Sequence, residues 1–178
     1  YFLLFYSIGD KVLIGKTFKE NLTEYIFLSY ILSVPLLFIL FFYISRYRTE
    51  FVKNLISFND VIFSKRFNYL LISIFFSVFA FVVFFYNLNF SNFSITSLIF
   101  LSLIYVIKSY SLILDEIVYW KSFYKDFLFF EFSFFLLFLV IIFFTMYLSF
   151  TMDIFLLILL ILFLFKFISK IIILVKKS

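Results

Sequence analysis

The stretch IFLLILLILFLFKFISKIIILV, residues Ile154–Val175, is apolar except at Lys166, Ser169 and Lys170. About 20 mostly apolar residues allow an α-helix to cross the hydrocarbon core of a bilayer. The apolar residues run continuously instead of alternating with polar ones, which excludes the strands of a membrane barrel. This stretch therefore predicts a transmembrane helix.

Four similar stretches precede it, so the chain is predicted to be all-α, a polytopic helical bundle forming one integral membrane domain over residues 1–178. The four earlier spans are Tyr25–Ile44, Tyr69–Leu88, Phe93–Leu114 and Phe127–Leu148. The run Tyr1–Ile8 is apolar but too short to span. It is either an interfacial segment or the tail of a helix that begins upstream.

The positive charges between the spans fall mainly on one side. If the chain weaves, one face carries the loops Ser45–Asn68 and Asp115–Asp126 together with the C-terminal end. That face holds Arg46, Arg48, Lys53, Lys65, Arg66, Lys121, Lys125, Lys170, Lys176 and Lys177, and the other holds Lys11, Lys16 and Lys19. Lys and Arg concentrate on the cytoplasmic side of membrane proteins, so the first face is predicted to lie in the cytoplasm, or in the matrix of an organelle.

Composition narrows the source and the chemistry. The 35 Phe and 13 Tyr beside 2 Gly and 1 Pro indicate an AT-rich coding sequence, typical of a mitochondrial genome, a reduced plastid or a low-GC bacterium. The mitochondrial inner membrane is the expected location, with a bacterial inner membrane as the alternative. The net charge of +5 is explained by anionic head groups without nucleic acid. With no His and no Cys, imidazole-held haem, a His base and thiolate chemistry are excluded. We expect neither enzymatic activity nor a cofactor or metal.

Three ionisable residues lie within the predicted spans: Lys108, Glu131 and Lys166. Charge in hydrocarbon often marks an ion or proton relay. All three lie toward the basic ends of their helices, where they can instead snorkel to the interface or pair with one another. The structural form of this hypothesis is an ion pair between Glu131 and either Lys108 or Lys166.

The two basic loops have helical amphipathic spacing. Ile117, Trp120 and Tyr124 share one face of Asp115–Asp126, which is typical of an interfacial helix with an aromatic anchor. In the other loop, apolar residues recur at similar spacing: Phe51, Leu55, Phe58 and Ile62. Each segment either lies in the head groups or docks a partner subunit.

Short motifs between Asn21 and Asn68 resemble the second helix and following cytoplasmic loop of the TatC family, the multispanning subunit of the twin-arginine protein translocase. Thr23-Glu24 is similar to the Thr-Glu pair before that helix, and Ser29 to Pro35 resembles Ser-x-Ile-Leu-Ser-x-Pro within it. Phe51-x-x-Asn54-Leu55 stands where the family has Phe-x-x-Pro-Gly, and Asp60 where it has Glu. Thr151-Met152-Asp153 resembles the Thr-Pro-Pro-Asp that opens the last helix.

The resemblance implies a subunit that binds the signal peptides of folded cargo and forms a pore with small single-span partners. Two guanidinium groups need carboxylates, because Arg pairs with them bidentately. Glu50 and Asp60 are the candidates, Asp60 being the family-matched one; the alternative is that they neutralise nearby Arg and Lys. Glu24 is expected at the outer end of its helix, where a carboxylate stabilises an N-terminus.

Two other functions remain open. One is a structural or accessory membrane subunit of an organellar respiratory-chain complex, because bulky Phe-rich helices with few small residues pack poorly alone and need a partner. The other is a small ion or solute transporter that uses Lys108, Glu131 and Lys166. A repurposed relic of the translocase fold would belong to the first of these two classes.

Overall fold

The computed structural model describes residues 10–12, 14–53, 64–87, 93–120, 124–147 and 150–177. The described part of the chain is helical and contains no strand, so the predicted all-α class is confirmed. Residues 10–12 and 14–17, together named the N-terminal segment, are helical, and a 3₁₀ turn follows at Lys19–Asn21. The α-helices are α1 Leu22–Ser45, α2 Arg48–Val52, α3 Lys65–Asn87, α4 Ile95–Trp120, α5 Tyr124–Tyr147 and α6 Met152–Lys177.

Each predicted span coincides with most of one long helix: α1, α3, α4, α5 or α6. The main difference lies after Leu114. We expected residues 115–126 to form a separate interfacial helix, but α4 continues to Trp120 and α5 begins at Tyr124. Ile117 and Val118 are 0% and 5% exposed, because they pack into the bundle. Burial of these apolar residues therefore extends α4 by a further turn and a half.

Two apolar clusters lie toward the two ends of the bundle. One contains Leu36 late in α1, Ile117 late in α4, Phe127 early in α5 and Leu174 late in α6. The other contains Tyr25, Leu98, Phe138 and Phe155, from the opposite ends of the same four helices. Consecutive helices α4, α5 and α6 therefore run antiparallel, as the weaving prediction requires. We call the end of the bundle that contains the first cluster the basic end, because the exposed Arg46 and Arg48 follow α1 there.

The helices α4 and α6 form the central pair and share the most extensive interface of the described structure. Leu101 and Ile104 of α4 and Leu156 of α6 are completely buried. Helix α1 packs on α4, as does α3 to a lesser extent, while α5 makes only sparse contact with α6 and α4. The core is therefore a two-helix centre with more peripheral helices around it.

The outward faces of the helices are apolar. Phe129 on α5 is 77% exposed, and Phe42 on α1 and Tyr69 on α3 are each 70% exposed. Two stretches, Lys19–Phe38 and Met152–Val175, are long and apolar enough to cross a membrane. Helices α3, α4 and α5 have 23, 26 and 24 residues but contain shorter apolar stretches, Ile72–Phe81, Ile95–Ser111 and Phe127–Ile141.

Shortening a buried side chain of the central pair is expected to destabilise the protein more than shortening an exposed one. Leu101→Ala removes a side chain that is 0% exposed, and we expect it to lower the free energy of unfolding by about 2–5 kcal/mol through the cavity it leaves. Leu157→Ala on α6, where the side chain is 39% exposed, is the matched control. Unfolding in mixed micelles at increasing SDS fractions measures both. Equal losses would contradict the assignment of α4 to the core.

Candidate functional site

A buried carboxylate of the N-terminal segment lies at the centre of the first polar site. Asp10 is 0% exposed, and its Oδ2 accepts hydrogen bonds from the Lys108 Nζ and the Tyr25 hydroxyl, each at 2.7 Å. The Tyr105 hydroxyl lies 3.4 Å from the same oxygen. We call these four residues the central cluster. It joins three parts of the chain: the N-terminal segment, α1 and α4.

Aromatic rings complete the surroundings of the Lys108 ammonium. Its Nζ lies 5.2 Å from the centre of the Tyr105 ring and 4.8 Å from that of Phe163 on α6. Rings at these distances attract a cation through their quadrupoles, and the attraction increases where water is excluded. Lys108 is therefore satisfied within the bundle by one carboxylate and two ring faces.

A second site contains two lysines of α6 and a carboxylate from each neighbouring helix. Lys166 Nζ lies 2.7 Å from Glu131 Oε2, and Lys170 Nζ lies 2.8 Å from Glu131 Oε1. Lys170 also donates to Asp115 and, at 3.0 Å, to the Ser111 hydroxyl. The Lys170 side chain is 0% exposed, whereas those of Glu131 and Asp115 are 18% and 21% exposed. We call these five residues the basic-end cluster.

Helical spacing explains how two helices bring these groups together. Residues three or four apart share a face of an α-helix. On α4 one stripe runs through Ser97, Leu101, Ile104, Lys108, Ser111 and Asp115, and on α6 another runs through Asp153, Leu156, Leu160, Phe163, Lys166 and Lys170. Because α4 and α6 run parallel, with their starts at the same end of the bundle, the polar members at each end of one stripe face those of the other.

At the end opposite the basic one, Asp153 joins the starts of α4 and α6. Its Oδ1 accepts hydrogen bonds from the hydroxyls of Ser94, at 2.6 Å, and Ser97. Ser94 Oγ in turn accepts the Ser97 N–H at 3.0 Å, as an N-cap residue does, which satisfies one of the first amides of α4. The carboxylate also lies in the first turn of α6, where it complements the helix dipole.

An apolar layer separates this aspartate from the buried lysines. Leu98, Leu101 and Ile104 of α4 are at most 2% exposed, as are Leu156 and Leu159 of α6. From Ser97 to Lys108 the helix rises roughly 16 Å at about 1.5 Å per residue. The described charged groups of this interface therefore form two sets, one from the basic end to Lys108 and one at Asp153, and the apolar layer separates them.

The structure places the three predicted intramembrane charges in two different sites. Glu131 and Lys166 form the ion pair that the sequence offered as one of two alternatives. Lys108 pairs with Asp10 and not with Glu131. All three side chains are directed into the bundle, because a carboxylate is available there for each lysine.

The described residues predicted from the TatC resemblance lie outside both the central cluster and the basic-end cluster. One of them, Asp153, contacts α4 through Ser94 and Ser97. Thr23 is exposed and Glu24 half-buried in the first turn of α1, and Pro35 lies within that helix. Glu50, half-buried, and Phe51 belong to α2. Asp60 lies outside the described residues, as does Tyr1–Ile8.

Sequence reasoning missed five members of the clusters: Asp10, Tyr25, Tyr105, Ser111 and Asp115. Asp115 had been assigned to a loop, although its spacing of seven residues from Lys108 was a usable signal, since it places both on one face of a longer helix. Asp10 precedes the first complete span, and no local pattern indicates that it is buried. Lys170, one turn from Lys166, had been assigned to the basic face.

The chemistry open to these sites is that of paired ammonium and carboxylate groups. Each buried lysine of the two clusters has a carboxylate within 2.8 Å or less, and the partners come from different helices. Among the described residues, no group of three or more His, Cys, Asp or Glu is arranged to hold a metal ion. The arrangement joins helices through charge.

Comparison of the chain with protein-family models, with curated proteins and with solved structures finds no match.

A double-mutant cycle on the central cluster measures its energy. Asp10→Asn leaves the Lys108 ammonium buried without its counter-charge, and we expect a loss of about 3 kcal/mol in the free energy of unfolding. Lys108→Met in the Asp10→Asn background removes that charge and is expected to recover part of the loss. SDS-induced unfolding in mixed micelles provides the four values. Strictly additive losses would mean that the pair contributes no coupling energy.

Proposed function

We propose that this protein is a non-enzymatic integral membrane subunit whose five long helices, α1, α3, α4, α5 and α6, all cross a bilayer. Their lengths of 23 to 26 residues support this, since about 20 residues are enough for a span. The shorter apolar stretches of α4 and α5 are compatible with spanning because the charges that interrupt these helices, Lys108 and Glu131, are paired inside the bundle.

The observation that carries the proposal is the inverted distribution of polar and apolar side chains. Lys170 and Asp10 are 0% exposed, while Phe129, Phe42 and Tyr69 are 70% exposed or more. In water this arrangement would be unfavourable on both counts, since charges lose hydration and large apolar faces remain wet. In a bilayer it is favourable on both, because ionisable residues face the bundle interior and apolar ones face lipid.

The charges at the basic end support one orientation of the bundle. Arg46, Arg48, Lys53 and Lys65 are exposed and lie between the end of α1 and the start of α3. We place this end in the matrix of a mitochondrion or in a bacterial cytoplasm, according to the positive-inside tendency. Anionic head groups of that leaflet are the expected lipid partners.

Within this class, we propose a TatC-type component of a twin-arginine translocase. The residue pattern from Thr23 to Asp60 and the aspartate that opens α6 support this assignment. Glu50 lies on α2 at the basic end and is half-buried, two residues after the exposed Arg48. A carboxylate at the cytoplasmic surface is what a receptor for guanidinium groups requires. Asp60 follows in the same connection.

The second candidate is a structural subunit of a larger membrane complex, such as one of the respiratory chain. The sparse packing of α5 favours it, because this helix exposes large apolar side chains from Leu128 to Tyr147 and makes limited contact within the chain. Transport is less well supported: the apolar layer between Asp153 and Lys108 leaves no described polar path through the α4–α6 interface.

Crosslinking tests the translocase proposal at single residues. Asp60→Asn and Glu50→Gln each remove one carboxylate charge from the basic-end connection, and we expect photocrosslinking to a twin-arginine signal peptide to fall about tenfold or more, because a charge-assisted pair contributes about 1.5–3 kcal/mol. Glu20→Gln, an exposed carboxylate before α1, is the control. Protein levels in the membrane fraction must stay constant. Crosslinking that is unchanged in both variants would remove these residues from the proposed receptor.

The proteins that co-purify with this chain from its native membrane distinguish the two candidates. After extraction in mild detergent and separation of native complexes, mass spectrometry is expected to find small single-span translocase partners or twin-arginine precursors with this chain. Co-migration with respiratory subunits alone would contradict the translocase and support the second candidate.

A further inference from the structure

We propose that the α4–α6 pair recognises its neighbouring helices by buried charge: it presents lysines in excess, and α5 and the N-terminal segment each dock by contributing one carboxylate. This goes beyond the proposed function and holds for either candidate. The partner that such a surface fits is an apolar helix with a single acidic residue at the depth of the lysines.

The charge balance of the described clusters carries the proposal. Helix α4 contributes Lys108 and Asp115, and α6 contributes Lys166 and Lys170. Three positive charges and one negative leave the pair with an excess of two positive charges. Asp10 of the N-terminal segment and Glu131 of α5 each contribute one negative charge, and the sum becomes zero. Neutrality is reached only when both neighbours are in place.

Glu131 is well suited to this role. It is the one ionisable residue between Phe127 and Tyr147. Its two oxygens contact different lysines, Oε2 with Lys166 and Oε1 with Lys170, at 2.7 and 2.8 Å. The lysines lie one turn apart on α6, so the carboxylate sets both the depth and the rotation of α5. A shift by one turn, about 5.4 Å, would break both contacts.

Apolar contact alone does little to stabilise α5 in this position. Its contact with α6 and α4 is sparse, and Phe129, Phe132 and Val140 remain about half or more exposed. Lipid tails are as apolar as these side chains, so burying them against protein yields little net gain. An uncompensated ammonium in hydrocarbon is costly. The pairing of Lys166 and Lys170 with Glu131 is thus the interaction whose free energy differs most between docked and undocked α5.

The same logic applies to the N-terminal segment at a different depth. Asp10 meets Lys108 with a hydroxyl from Tyr25 of α1 as a second donor. Lys108 and Lys166 lie on different helices and bind different carboxylates, so the two docking sites are not interchangeable. An acidic residue at the wrong depth meets the apolar layer of Leu101 and Ile104 instead of a lysine.

Disulfide trapping in the full-length chain tests this docking, because the sequence has no native Cys. Phe138→Cys lies seven residues beyond Glu131 on α5, and Leu159→Cys lies seven residues before Lys166 on the antiparallel α6; both positions are buried in one apolar cluster. In detergent, we expect Glu131→Leu to lower the crosslink yield by about tenfold, since it leaves the lysines without this carboxylate. Glu20→Gln is expected to match the parent.

A charge exchange separates recognition from general misfolding. Glu131→Lys alone is expected to abolish the crosslink, and adding Lys166→Glu is expected to recover at least half of the parent yield. The proposal is overturned if Glu131→Leu crosslinks like the parent, because apolar packing would then suffice. It is also overturned if the exchanged pair recovers nothing beyond Glu131→Lys alone.

Discussion

The neutralisation of three lysines inside the bundle, two of them buried and Lys108 partly so, is the constraint on which the rest of this structure depends. Lys108, Lys166 and Lys170 lie inside an apolar bundle, where an ammonium without a counter-charge is costly. Each has a carboxylate from another helix within reach. Consequently the position of the N-terminal segment, the depth of α5 and the pairing of α4 with α6 are linked through the same few contacts.

This constraint also bears on function. The charged groups of the two clusters are paired with one another, and an apolar layer closes the α4–α6 interface between Lys108 and Asp153. A network of this kind favours a fixed arrangement of helices over a path for ions. What remains available to other molecules is the outer surface: apolar faces on α1, α3 and α5, and a basic end with exposed Arg46, Arg48, Lys53 and Lys65. That distribution is the observation behind the proposal of a membrane subunit.

The positions of the helices were largely predictable, and the contents of the clusters only in part. Apolar runs of more than 20 residues predict α4 and α6 well because helix length follows directly from the run. The predicted end of this helix at Leu114 was wrong, because Ile117 is buried by neighbours that are distant in sequence. Glu131 and Lys166 could be proposed as a pair, whereas Asp10 could not, because its partners Tyr25 and Lys108 follow 15 and 98 residues later.

The sequence by itself determined that the chain is helical, that its long helices are rich in apolar residues, and that its positive charges gather between and after particular helices. These properties depend on composition and on the order of residues along a single helix. Only the tertiary structure decided which carboxylate neutralises which lysine and that α4 and α6 form the centre. The reason is physical: a helix sets the spacing of its own side chains, but the choice of partner depends on the depth and rotation of every helix packed around it.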